Sequence, residues 1–238
     1  MWYKLKRILI YPDGVTEKQV YPALLIPTSW LLWYRKLQSD LKDLSWNGND
    51  GSWYSWTGSF WTVWGKTWAI VNRWSDDYST QHIVTTLNYA WPTLTICWWV
   101  YYNSLSYNNW YWHWVMTNST STSSYISLSD RPAQSSRWTV WGNGNLLTAT
   151  TSATTWAWHF VAWVLTSSWK KIYLNWTQIA SDSTGFTTGQ WSIWRLWCWQ
   201  TPDTSGKFWW TNWYVRHCAV YNRALTVDEI LEFYNKTA

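Results

Sequence analysis

Glutamate is almost missing from this chain of 238 residues: Glu17, Glu229 and Glu232 are the whole set. Retaining glycoside hydrolysis needs two carboxyl groups about 5 Å apart, an arrangement that positions i and i+2 on one face of a strand can supply. No Glu-x-Asp or Glu-x-x-x-Glu pair stands on a strand-like run, so that chemistry is not expected. Cysteine is scarce too. Cys97, Cys198 and Cys218 are odd in number and lack a Cys-x-x-Cys pair, which excludes a closed disulfide framework and gives no zinc or redox signature. Buried free thiols are the expectation. Charged residues make up 13 % of the chain, too few for a coiled coil or a charge-driven disordered segment. The net charge is +5, but the bases are scattered outside Lys4, Lys6, Arg7 and Arg35, Lys36, Lys42, so no nucleic-acid footprint forms. No apolar run approaches the roughly 18 residues of a membrane span. The N-terminal apolar run is too short for a secretory-signal core and has no small-residue cleavage site.

Glycine is the last scarcity, at 10 residues, where average usage of about 7 % would supply about 17. Against these absences stands an excess of aromatic residues: 30 Trp and 16 Tyr. Short runs of β-branched and aromatic residues recur at 4–11, 19–26, 31–37, 69–72, 93–102, 124–128, 138–140, 158–165, 170–174, 192–196 and 215–221, with Asn, Gly, Ser and Asp recurring in the stretches between them. Many short strands at such spacing predict an all-β sandwich or barrel. The polar runs 117–124 and 148–155 are expected to be loops. Only the tail reads as a helix: Thr226 and Glu229 form a capping-box pair, and Ile230, Leu231, Phe233 and Tyr234 supply an apolar face. Residues 1–27, with a Tyr11-Pro12-Asp13-Gly14 turn, read as an N-terminal hairpin or docking arm, and 28–238 as a single domain.

Four stretches, in order, resemble the laminin-G-like, concanavalin A-like jelly-roll family. The run from Leu41 through Asp43, Ser45, Trp46, Asn47, Gly48, Asn49 and Asp50 to Gly51 is similar to that family's Asp-x-Ser-Gly-Asn-Gly loop. Trp68-Ala69-Ile70 followed by Trp74-Ser75-Asp76-Asp77-Tyr78 resembles its Gly-x-Ala strand and Gly-Ser-x-Asp-Tyr turn. Thr95-Ile96-Cys97-Trp98-Trp99-Val100, Trp158-His159-Phe160-Val161-Ala162 and Ile172-Tyr173-Leu174-Asn175 resemble three further strands. Val220-Tyr221-Asn222-Arg223-Ala224-Leu225-Thr226, with Glu229-Ile230 and Tyr234-Asn235, resembles the family's terminal motif. The resemblance covers about residues 30–238 and implies a concanavalin A-like jelly-roll sandwich of two antiparallel sheets with a short C-terminal helix.

The resemblance also bears on tryptophan. Trp46, Trp74 and Trp176 fall where the family has glycine, and Trp68, Trp163, Trp194 and Trp210 at or beside such places, whereas Trp99 and Trp158 match family tryptophans. Physics agrees at Asn175-Trp176: a two-residue hairpin between Leu174 and Thr177 wants positive φ at both positions, which Asn-Gly satisfies without steric cost. Two readings stand. Many Trp occupy positions encoded as glycine by UGA, as in some bacterial lineages and their phages, or all 30 are genuine and form an extreme aromatic surface.

Functionally, the resemblance implies a non-catalytic module for a glycan or other cell-surface ligand; the lack of a signal core and the docking arm suggest an extracellular or phage-virion setting, at the tail or capsid surface, with residues 1–27 contacting assembly partners. A structural or decoration subunit that binds no sugar is the competing reading, and a glycoside hydrolase-like enzyme the third. Sugar recognition uses aromatic faces with neighbouring amides, and Tyr101, Tyr102, Asn103, Tyr107, Asn108, Asn109 and Tyr111 form a cluster of that composition. Calcium is the one cofactor to weigh, because oxygen-rich loops suit a hard cation and Asp43, Asn47, Asn49 and Asp50 crowd one loop. Family members often take a further calcium ligand from an Asp before the terminal motif, where this chain has Arg216-His217. The histidines His82, His113, His159 and His217 show no metal or triad spacing.

Overall fold

A computed structural model describes residues 31–35, 43–45, 47, 51–54, 59–63, 66–70, 82–85, 93–102, 113–117, 127–131, 137–142, 145–185, 194–196 and 213–238. The expected arm at 1–27 lies outside the described residues, as do Trp46, Trp74 and Trp210. In chain order the strands are β1 (Leu31–Arg35), β2 (Gly51–Tyr54), β3 (Ser59–Val63), β4 (Lys66–Ile70), β5 (His82–Thr85), β6 (Leu94–Tyr102), β7 (His113–Thr117) and β8 (Ser127–Arg131). There follow β9 (Arg137–Gly142), β10 (Asn145–Ser152), β11 (Trp158–Leu165), β12 (Lys170–Leu174), β13 (Thr177–Asp182), β14 (Trp194–Leu196), β15 (Trp213–Tyr221) and the helix α1 (Val227–Thr237).

One sheet has the order β13-β12-β11-β6-β15-β4-β3 with β1 also paired to β15, and the other runs β10-β9-β8-β7-β14-β5-β2. Every pairing between these strands is antiparallel. The chain is thus an all-β, two-sheet sandwich of the concanavalin A-like jelly-roll kind, closed by one short C-terminal helix. The 148–155 run is not a loop throughout. β10 extends through Ser152, with Leu147 and Ala149 turned into the core and Thr150 exposed, an alternation that small and hydroxyl side chains disguise in the sequence.

Strand alternation creates two separate hydrophobic layers. Leu94, Ile96, Trp98, Val100 and Tyr102 of β6, with Val161, Trp163 and Leu165 of β11, pack against Trp138 and Val140 of β9 between the sheets. The intervening Cys97, Trp99, Phe160, Ala162 and Val164 face the other way and pack with Tyr34 of β1 and Ile230 and Phe233 of α1. All nine residues of β6 are consequently buried, which explains why this strand reads as a continuous apolar run. Each large side chain so covered contributes roughly 1.5–3 kcal/mol.

The helix is held where its sequence signature expects. Thr226 caps it, with both reciprocal bonds of the capping box to Glu229 present. Arg223 grips Glu229 through two bonds of 2.7 and 2.6 Å. The Thr95 hydroxyl donates to the Arg223 carbonyl at 2.7 Å and accepts from the Leu225 amide at 3.0 Å, tying the turn before α1 to the central strand. At the far end the Trp99 indole N–H donates to Thr237 Oγ1 at 2.8 Å.

Candidate functional site

The site begins with an irregularity in β15. Arg216 pairs with Trp99 of β6 but Ala219 pairs with Cys97, so three steps along β15 match two along β6. The surplus residue makes a β-bulge, and His217 there has a φ of 47°. The bulge changes which face each residue occupies. Before it Val215 points between the sheets; after it Cys218 and Val220 do, and Ala219 and Tyr221 join the layer under α1. His217 Nδ1 is bonded to the Tyr34 hydroxyl at 2.7 Å, which fixes β1 against the bulge.

Arg216 is almost entirely buried, at 5 % exposure, and its guanidinium lies 4.5 Å from the Trp99 ring centre and 4.8 Å from that of Trp158. Two indole faces on one cation are a cation–π sandwich, strengthened by removal from water. Burial pulls the Arg216 pKa down to about 10, with Tyr234 and Tyr34 acting the other way, so the group remains a cation at neutral pH. Across β15, β6 and β11 the next row of the sheet is aromatic. Tyr101 pairs with Trp158 on one side and Tyr214 on the other, with ring centres 5.4 and 5.7 Å apart. Burial, then the neighbouring Tyr214, raises the Tyr101 pKa. Trp158 and Tyr214 are half-buried. The array continues through Tyr234, stacked on Trp99 at 5.1 Å, to the exposed Trp176, 4.5 Å beyond.

The expected sugar cluster is divided by this geometry. Tyr101 belongs to the face just described, itself only 4 % exposed between the half-buried Trp158 and Tyr214. Tyr102, the next residue along the strand, points to the opposite side, is fully buried, and packs between the sheets against Trp138 and His159; it is a core residue and cannot share a ligand face with Tyr101. Asn103, Tyr107, Asn108, Asn109 and Tyr111 lie outside the described residues. Sequence reading missed Tyr214 and Arg216 because only strand pairing reveals that they flank Tyr101 and Trp99.

The expected calcium loop shows a different use of its side chains. Asp43 Oδ1 accepts from the amides of Tyr34 and Ser45 at 3.1 and 2.9 Å, and Oδ2 accepts from the Ser45 hydroxyl at 2.8 Å. Asn47 Nδ2 donates to the carbonyls of Leu31 and Leu32, both at 2.9 Å. These two residues latch the loop to β1, with both Asp43 oxygens accepting from the chain. Asn49 and Asp50 lie outside the described residues. Neither Arg216 nor His217 offers the oxygen that the resemblance would require. Among the described residues no group of three His, Cys, Asp or Glu is placed to hold a metal ion, and no helix is long and apolar enough to cross a membrane. Glu229 and Glu232 both stand on α1, Glu229 engaged with Arg223 and Glu232 with Lys236.

No family model matches the chain, and no curated protein does. Solved structures do. One is botulinum neurotoxin type C, described as reaching the inside of cells through interaction with two ganglioside molecules: TM-score 0.70, 14 % identity, 89 % of this chain and 52 % of the toxin chain. The binding domain of Paraclostridial Mosquitocidal Protein 1 is similar at TM-score 0.65 and 17 % identity, over 87 % of this chain and 52 % of that one. Domain 4 of AbnA, an extracellular arabinanase of Geobacillus stearothermophilus solved with arabinotriose, gives TM-score 0.65 and 16 % identity, over 86 % of this chain and 98 % of the domain. The chain therefore spans about half the length of the toxin chains and nearly all of the arabinanase domain. At these identities the likeness establishes the fold.

Proposed function

We propose that this chain is a non-catalytic carbohydrate-binding module of the laminin-G-like kind that takes a glycan on the outer face of its larger sheet. The observation that carries this reading is the aromatic row Tyr214–Tyr101–Trp158 set directly above the Arg216 sandwich. Sugar C–H faces stack on such rings while nearby hydroxyls orient polar groups, and the buried Arg216 fixes Trp158 through its cation–π contact. The arabinanase domain solved with arabinotriose supports the reading, since it is matched over almost its whole length, and the ganglioside described for the toxin is a second carbohydrate partner in a protein of this fold. An extracellular or virion-surface location, with residues 1–27 meeting other assembly proteins, belongs to the same proposal. So does glycine encoded by UGA at part of the tryptophan positions, Trp46, Trp74 and Trp176 being those the family resemblance points to.

The test is a glycan array carrying neutral and acidic oligosaccharides, probed with the wild-type chain and Tyr214→Ala. Specific retention that falls about tenfold on losing the Tyr214 ring is expected, the effect of removing one aromatic contact of about 1.4 kcal/mol. Unchanged retention in the variant removes this face from the proposal. Absence of retention on every glycan, with incorporation into particles, favours the decoration subunit.

A further inference from the structure

Four described non-glycine residues have a left-handed backbone: Trp156 at φ 61°, Asn175 at 45°, Trp176 at 63° and His217 at 47°. Asn and His belong to the residue types that visit this region several-fold more often than others, whereas a bulky side chain there is a genuine outlier. Two of the four are tryptophan.

Their surroundings fix the backbone independently of the side chain. Leu174 pairs with Thr177, leaving Asn175 and Trp176 as the two-residue turn whose geometry Asn-Gly satisfies. The Asn175 amide donates to the Phe160 carbonyl at 2.8 Å and its side chain accepts from the Phe160 amide at 3.0 Å, so the turn cannot rotate without breaking contacts with β11. Trp156 follows Thr155, which forms a parallel bridge to Tyr102, and the Trp156 amide donates to the Tyr102 carbonyl at 2.8 Å. Neither side chain offsets its steric cost by full burial, since Trp156 is 69 % and Trp176 40 % exposed.

A different misfit marks two core positions. Trp98 and Trp138 are wholly buried, yet neither indole N–H has a hydrogen-bond acceptor. A buried indole normally finds one, and an orphaned buried donor carries its full desolvation penalty. Trp99 and Trp163 show the ordinary pattern, donating to Thr237 Oγ1 at 2.8 Å and the Thr139 carbonyl at 3.1 Å. Trp98 and Trp138 both crowd Trp163, at 4.3 and 6.3 Å between ring centres. Tyr102 and His159 border Trp138 at 6.1 and 5.5 Å, which places other rings beside the volume it occupies.

We infer that glycine is the native residue at positions 156 and 176, from the backbone, and at 98 and 138, from the orphaned donors, each specified by a UGA codon, while Trp99 is a true tryptophan specified by UGG. The inference rests on the glycine reading above and extends it to Trp98, Trp138 and Trp156, which the motifs did not single out. It is independent of sugar binding, so a negative glycan array leaves it intact. The test reads the coding DNA together with a mass-spectrometric peptide map of the protein from its own source. Glycine at 156 and 176 and tryptophan at 99 is the expected result; tryptophan from UGG at 156 and 176 overturns the backbone inference, and tryptophan at 98 and 138 overturns the core inference alone. A second measurement uses the recombinant chain as written. Trp156→Gly and Trp176→Gly should each raise the folding equilibrium constant about tenfold, the cost of a left-handed residue bearing a Cβ, and an unchanged or lowered constant refutes the backbone argument.

Discussion

Replacing Glu229 with glutamine asks how firmly the helix is fastened over the outer face of the larger sheet. Glu229 accepts both Arg223 bonds, at 2.7 and 2.6 Å, and the Thr226 amide at 2.9 Å. The Arg223 hydrogen bonds pull its pKa from 4.5 to about 2; burial opposes them, and the Thr226 amide and the Arg223 charge add to the lowering. A shift of that size corresponds to about 3 kcal/mol. Because the two side chains are 24 % and 27 % exposed, water screens part of it, and about 2 kcal/mol is the expected loss in Glu229→Gln near neutral pH. Glutamine keeps the shape and, with its carbonyl at the Oε2 position, the capping-box acceptor, while the charge and the Oε1 bond to Arg223 are lost together. The folded carboxyl has the depressed pKa; its stabilisation is therefore complete above the unfolded value of about 4.3 and drains away as pH falls toward about 2. Urea unfolding of both proteins from neutral pH downward should show a constant gap in stability above about pH 5 that closes through the acid range. Equal stabilities at neutral pH, or a gap that persists undiminished in acid, would refute the reasoning.

Lys170 and Asp182 stand directly opposite on β12 and β13, 3.2 Å apart, with the lysine side chain wholly buried and the aspartate 25 % exposed. Breaking the pair with Asp182→Ala strands a buried cation and should cost about 3 kcal/mol, whereas Lys170→Met, of similar shape, should be near neutral; chemical denaturation that ranks the two variants in the opposite order defeats this account. Asp43→Ala should lower stability by about 1–3 kcal/mol by leaving the Tyr34 and Ser45 amides without their acceptor, and exchanging calcium for a chelator should leave the wild-type melting temperature unmoved. A calcium-dependent rise in melting temperature that Asp43→Ala abolishes would restore the metal site.

Strand β11 was legible to the residue, and β6 to within one, because each is a nearly continuous apolar run covered on both faces; β12, Lys-Lys-Ile-Tyr-Leu, was legible to the residue from its β-branched and aromatic centre and the turn that follows. The helix start was legible through Thr226 and Glu229, whose mutual bonds are purely local. What escaped was polar or non-local. β13, Thr-Gln-Ile-Ala-Ser-Asp, is an edge strand with little burial, and β10 buries only small or intermittent apolar groups, so neither carries a strong two-residue period. The candidate site was half legible. Tyr101 could be picked out by composition, but Tyr102 beside it could not be excluded without knowing which side each faces, and Arg216 entered the site only through pairing with a residue more than a hundred positions away.

The bulge in β15 decides where the cation goes. Had β15 continued in regular alternation from Val220 back to Arg216, the guanidinium would point between the sheets with Val220, into an apolar layer where an ion is costly. One inserted residue, His217, places Arg216 on the opposite face, between Trp99 and Trp158. The same insertion keeps Val215 and Cys218 in the core. Two of the three rings in the row beside that cation are tyrosines, whose identity does not depend on how a UGA codon is read, and the third, Trp158, matches a tryptophan of the resembling family. The exposed indoles at 156 and 176 are the ones the backbone argues against. The proposed ligand face of Tyr214, Tyr101 and Trp158, held from beneath by Arg216, therefore survives even if glycine replaces both of them.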